Sequence, residues 1–249
     1  MTEYPVFKSA PITEALLDIR VSLPSEIDLN TLASLQSRVI DRYPLRNDRV
    51  QWEIQANIAE TTEPTLSRTG GQIGYLFLPP AAHQDRSFQS RLDGFTFSKL
   101  KPYETWNAFR EEAKELWDIY TETTRPQKIH RLALRTINSL DLPLPFDDFK
   151  EYLLTTPEVA PGIPSGLSHF FMQMAIPQPG GEVAVVTSAM QPLRHPQEQF
   201  VTVIFDIDVF IEESFPVEAS AIWEKFERLH LIRNEIFFSS LTDKAKGLF

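Results

Sequence analysis

Two aspartates two residues apart, Asp206 and Asp208 in the stretch QFVTVIFDIDVFIEE (199–213), are the residues whose type and spacing most invite chemistry. On a strand, side chains two apart share a face, so the two carboxylates project together. Such a pair can hold a cation or a hydroxyl, and an arginine beside it can hold a carboxylate or phosphate. Alternation in ITEALLDIRVSL (12–23) sends Glu14, Asp18 and Arg20 to the corresponding face of an earlier strand. Arg131 and Arg135 share a face of Lys128–Leu142 with Ala133 and Ile137, while Leu132 and Leu134 take the other; past Leu134 the pattern admits either face. With the first strands of both halves near the centre of a sheet, Arg135 comes within reach of Asp206 or Asp208. Glu14, Arg20, Arg135, Asp206 and Asp208 are therefore the ligand-binding candidates. The competing reading is a cross-strand ladder of ion pairs on a solvated face, which needs no ligand.

Other chemistries find less support. The five histidines (83, 130, 169, 195 and 230) are scattered, and no His-Glu-x-x-His or comparable spacing marks a metal site. His230, beside Leu229 on a helical pattern, reads as packing or surface. The segment Gly162-Ile163-Pro164-Ser165-Gly166 lacks the spacing of a nucleophile elbow and reads as a loop. Gly70-Gly71 and Gly180-Gly181 precede strands and not helices, which predicts hairpin turns and not phosphate cradles. Trp106, Trp117 and Trp223 fall on amphipathic faces and are expected in the core. Phe95 and Phe97, or Ile204 and Phe210, are expected to add apolar surface to the face away from the helices, where a partner, ligand or second layer would cover it. No cofactor is indicated.

These side chains need a scaffold, and the same stretch supplies its centre. Val201, Val203, Phe205, Ile207, Val209 and Ile211 alternate with the aspartates; burying each stabilises the fold by roughly 1.5–3 kcal/mol and fixes the register. Proline punctuation divides the rest into strands over 12–23, 50–59, 73–77, 87–99 (with a bulge at Gly94), 128–142, 167–176 and 182–191. Helices are predicted after an Asp28 N-cap, over 103–120, over 146–154 and over 217–240. Each half, 1–125 and 126–249, thus reads strand, helix, three strands, helix. Three echoes recur in order: a Gly-Gly pair, a Trp-x-x-Phe opening the closing helix (Trp106/Phe109, Trp223/Phe226), and a Leu-Pro after the first strand (23–24, 142–143). The expected fold is α+β: one domain of two related halves forming a twisted antiparallel sheet of about eight strands, helices on one face. The element order is like that of the TATA-box-binding protein saddle, in topology alone.

Composition narrows the function. The chain has 249 residues, 24 basic against 34 acidic, for a net charge of −10. Neither half is basic and no cluster of Lys and Arg appears, which disfavours nucleic acid, and acidity disfavours anionic membranes. No apolar run approaches the ~18 residues of a membrane span, and the first residues lack the apolar core of a signal peptide. Cysteine is absent, so disulfides and thiolate chemistry are excluded. A cytoplasmic protein is expected.

Phe7 followed by Pro11-Ile12-x-Glu14-Ala15 resembles the start of a sporadically distributed bacterial family of uncharacterised proteins of similar length. Leu134-Arg135-Thr136-Ile137-Asn138 is similar to that family's Leu-Arg-Tyr-Ile-Asn, departing from it at Thr136. Phe205-Asp206-Ile207-Asp208, Leu229-His230, Ile236-Phe237 and Leu241-Thr242-Asp243-Lys244 resemble its acidic strand, last helix and tail. The resemblance implies no activity. The expectation is therefore a binding or interaction protein that takes a protein partner or small ligand on the open sheet face. The alternative is an enzyme using Asp206 and Asp208 with Arg135 on an anionic substrate, assisted or not by a divalent cation.

Overall fold

A computed structural model describes residues 4–5, 7–57, 65–163, 167–192, 199–217 and 219–249, with side chains at all of these but 53–57, 65–69, 82, 219 and 220. Ile58 and Ala59 of the predicted second strand, Ser165-Gly166 of the glycine loop, and His195 lie outside them.

Nine strands form one antiparallel sheet: β1 (Ile12–Ser22), β2 (Leu45–Asn57), β3 (Thr65–Leu78), β4 (Arg86–Arg91), β5 (Gly94–Leu100), β6 (Lys128–Pro143), β7 (Phe170–Pro177), β8 (Val183–Met190) and β9 (Phe200–Phe215). Their order is β2-β3-β4-β5-β1-β6-β9-β8-β7, so β1 and β6 pair at the middle. The alternation predicted for β9 is present throughout Val201–Ile211: odd positions are buried, even ones half-buried. On β6 the inward set runs through Leu132, Leu134, Thr136, Asn138, Leu140 and Leu142, which settles the face beyond Leu134.

Helices cover the inward face. Asp28 caps α1 (Leu29–Ser34) by accepting from the Thr31 backbone N–H at 2.8 Å, and α2 (Gln36–Val39) follows directly. Thr105 caps α3 (Trp106–Thr124), whose Phe109, Ala113, Leu116, Trp117 and Tyr120 are buried. The long α4 (Ala219–Ser240) brings Ile222, Phe226, Leu229 and Ile232 to the same core, and a short α5 (Asp243–Lys246) follows it.

Four expectations are corrected. The predicted strand over 87–99 is a hairpin: Arg91 pairs with Gly94 across a two-residue turn, making nine strands instead of eight. Gly94 is needed there because a Cβ would lie 2.3 Å from the Ile19 carbonyl oxygen. Gly70-Gly71 is inside β3 and not a turn, since Gly70 leaves room for the Trp52 indole opposite. Gly181, at φ +88, does turn the chain between β7 and β8. The segment 146–154 is not a helix; only Phe149–Glu151 makes a 3-10 turn, because the backbone there pairs with the chain after α4. The Leu154 N–H donates to the Ser240 carbonyl, and the Thr242 N–H to that of Tyr152. Finally, Phe95 and Phe97 face the helices, packing on Trp117, Tyr120 and Phe109. They pair with Ile19 and Leu17 across β1 and β5 and share their buried face. Ile204 and Phe210 are on the open face as expected, half-buried.

Candidate functional site

The open face carries the predicted charges in a connected network. The Arg135 guanidinium is bidentate on Asp206, at 2.9 and 2.6 Å. Arg131 lies 3.4 Å from Asp208, 3.6 Å from Asp18 and 3.6 Å from Glu212, with its guanidinium over the Phe210 ring. Arg20 bridges Asp18 and Asp93. Glu14 shares this face but accepts from the Ser98 hydroxyl at 2.5 Å and makes no ion pair among the described residues. Sequence reading omitted Arg91, which sits at the head of the network, 2.9 Å from both Asp18 and Asp93 and hydrogen-bonded to Thr96.

Burial pushes the Asp18 carboxyl up, but the Arg91 guanidinium, the Thr96 hydroxyl donating at 2.6 Å, and Arg20 outweigh it and hold the group below the usual carboxylate range. Asp208 goes the other way: burial raises it despite Arg131 and Arg135, and its Oδ1 is buried without a hydrogen-bond partner. No group of three or more carboxylate or imidazole side chains among the described residues is arranged to hold a metal ion. Chemically, most of this network is already satisfied from within.

A second constellation lies on the helical side, where the chain before β1 crosses the start of α3 and the middle of α4. The cavity there has a volume of about 310 Å³. Its aromatic walls come from Tyr4 and Phe7, from Tyr103 and Trp106, and from Phe237 and Phe238. Tyr4 stacks on Phe238 at 4.7 Å, and Phe7 packs on Phe237, Phe238 and Phe249. Polar groups converge from β6 (Asn138) and from α4, where His230, Arg233 and Asn234 are spaced i, i+3, i+4 and so share a helix face.

Arg233 is the unusual member. It is only 7% exposed, its Nε has no hydrogen-bond partner among the described residues, and Nη2 is 2.9 Å from the His230 Nδ1. The Tyr103 hydroxyl lies beside it, and burial pushes that phenol up, so it stays neutral. Burial lowers the guanidinium itself, and among the described residues no carboxylate opposes that effect. An uncompensated charge of this kind costs several kcal/mol. Because arginine only donates, His230 Nδ1 must accept and the ring proton belongs on Nε2, which requires the Asn234 side chain, 3.2 Å away, to turn its amide oxygen to the ring. Burial, with Arg233 and Arg110 nearby, lowers His230 to about 3, so the ring is neutral. It stacks on Trp106 with centroids 4.3 Å apart, and the Trp106 indole N–H is held by the Glu227 carboxylate at 3.0 Å.

His230 was read from sequence as packing or surface, and Arg233 was not singled out. The available signal was an arginine inside the apolar stripe of α4, four residues after Leu229 and seven after Phe226. Comparison with family models, with curated proteins and with solved structures finds no match to the chain.

Proposed function

We propose that this chain is a binding protein for a small molecule, held in the cavity between the chain before β1, the start of α3 and α4. The observation that carries this reading is the joining, in one cavity of about 310 Å³, of aromatic walls with a few convergent polar groups, the usual make-up of a ligand pocket. The class matches the sequence expectation; the place differs from it, because most carboxylates of the open face already have arginine partners. A direct test uses the neutral fluorophore N-phenyl-1-naphthylamine, whose emission rises in apolar surroundings. Saturable one-to-one binding to the wild type, lost when Ala10→Trp fills the cavity at unchanged melting temperature, is the expected result. No saturable binding, or binding indifferent to Ala10→Trp, rules the pocket out.

An enzyme working on the open face is the second reading, and Asp208 favours it. A carboxyl raised by burial, with one oxygen free of hydrogen bonds, is suited to proton transfer. Arg135 would hold an anionic substrate beside it.

The fold reading extends in the same spirit. The sheet order supports two related halves: β5, β4 and β3 follow β1 outward as β9, β8 and β7 follow β6, and a long helix closes each half. A saddle-like curvature goes with that arrangement. No described helix is long and apolar enough to cross a membrane, which is compatible with a cytoplasmic protein.

A further inference from the structure

Arg233 narrows the ligand class, on the premise that the cavity is the binding site. Its guanidinium is planar, permanently charged and able to present two parallel N–H groups to one acceptor. At 7% exposure it is removed from water, and its Nε is unmet. Among the described residues, the groups beside it are neutral: the Tyr103 hydroxyl and the imidazole of His230. Glu104 also lines the cavity, but it lies 3.9 Å from Lys99 and makes no ion pair with Arg233. The charge at the pocket's base is therefore open to an anion from outside.

The shape and charge of the walls say which anion. Among the described residues, no lysine and no second arginine lines the cavity. A single positive charge balances a carboxylate and would leave half of a phosphate dianion uncompensated. Flat surfaces flank it: the Trp106–His230 stack on one side and the Phe237 and Phe238 rings on α4. We propose that the pocket takes a small molecule with one carboxylate on a flat apolar body, the carboxylate paired with the Arg233 guanidinium and the body against these rings.

Calorimetric titration of the full chain with matched acids and amides tests this: benzoate with benzamide, 2-naphthoate with 2-naphthamide, indole-3-carboxylate with its amide. Each pair differs in charge and little in shape. At least one acid is expected to bind the wild type tenfold or more tighter than its amide, and Arg233→Met is expected to abolish that preference while still binding the amide. Acid and amide binding alike overturns the carboxylate seat but leaves the pocket standing. Inorganic phosphate binding as tightly as the best acid also overturns it, since the site would then be a general anion site. Preference for the acid that persists in Arg233→Met places the anion elsewhere and overturns it too. If no acid binds while the neutral fluorophore does, the seat fails alone; if neither binds, the pocket fails with it. The wild-type comparison needs no variant and stands even if Arg233→Met does not fold.

Discussion

Arg91 and Arg233 are both nearly out of water, at 4% and 7% exposure, yet they live in opposite electrostatic surroundings. Arg91, on the open face, is met by Asp18, Asp93 and Thr96, and its burial penalty is overcome by those partners, so its guanidinium is raised. Arg233, on the helical side, is met by a phenol and a neutral imidazole, and its guanidinium is lowered by burial. The same side chain is thus a fastener in one region and a vacancy for charge in the other. What separates structure from site here is the bookkeeping of partners, not the degree of burial.

The largest effect should come from replacing the two arginines in turn. Arg91→Met takes from Asp18 its most buried partner, leaving Arg20 and Arg131, and is expected to lower unfolding stability by about 3 kcal/mol. Arg233→Met removes a charge that has no counter-charge among the described residues, and is expected to leave the ligand-free stability unchanged or raised by up to ~4 kcal/mol. Urea unfolding of both variants measures the contrast; equal losses would mean that Arg233 is paired after all, and the comparison would collapse.

A smaller effect tests the neutrality of the pocket through His230. Its folded value of about 3 is below the unfolded value, so below pH 6.5 the unfolded chain binds the extra proton and stability falls as pH falls. This group alone contributes a loss of about 1.4 kcal/mol per pH unit down to about 3. Subtracting the profile of His230→Phe from that of the wild type removes the carboxylate terms common to both. The difference at pH 4.5 relative to pH 7 should be roughly 2–3 kcal/mol. A flat difference would mean that the ring is already charged in the folded protein.

The smallest effect belongs to the partly exposed end of the open-face network. Arg135→Ala, despite its bidentate contact with Asp206, is expected to cost only ~0.5–1 kcal/mol by thermal unfolding. A loss as large as that of Arg91→Met would show that the network acts as one unit and would blur the line drawn between its buried head and its exposed tail.

Much of the architecture was legible in the sequence because a strand with one apolar face has only one sensible register. Val201–Ile211 and Ala15–Val21 announced their faces, and with them the sides of Asp206, Asp208, Glu14 and Arg20. The reading failed where periodicity was weak or where glycine was ambiguous. Gly94 serves a two-residue turn and not a bulge, and Phe95 and Phe97, beside Ile19 and Leu17, face the helices instead of the open side. Phe146–Leu154 has helical composition, but its backbone partners are Ser240 and Thr242, nearly a hundred residues on, which no local pattern reveals. The pocket was illegible for a related reason. It is assembled from four segments far apart in the chain, and the one local clue, an arginine in an apolar helical stripe, is visible only after the helix is known to face inward.

The position of β1 has a consequence for how the chain reaches this structure. It is the first strand in sequence and one of the two central strands in space, flanked by β5 and β6. As the polypeptide emerges during synthesis, Ala15, Leu17, Ile19 and Val21 wait with both backbone edges unpaired until Phe95 and then Leu134 have been made. Non-local pairing of this sort slows folding, and an unpaired apolar strand invites association with other chains. The glutamate, aspartate and arginine that alternate along its other face, at 14, 18 and 20, are charges of the kind that keep such a strand soluble while it waits.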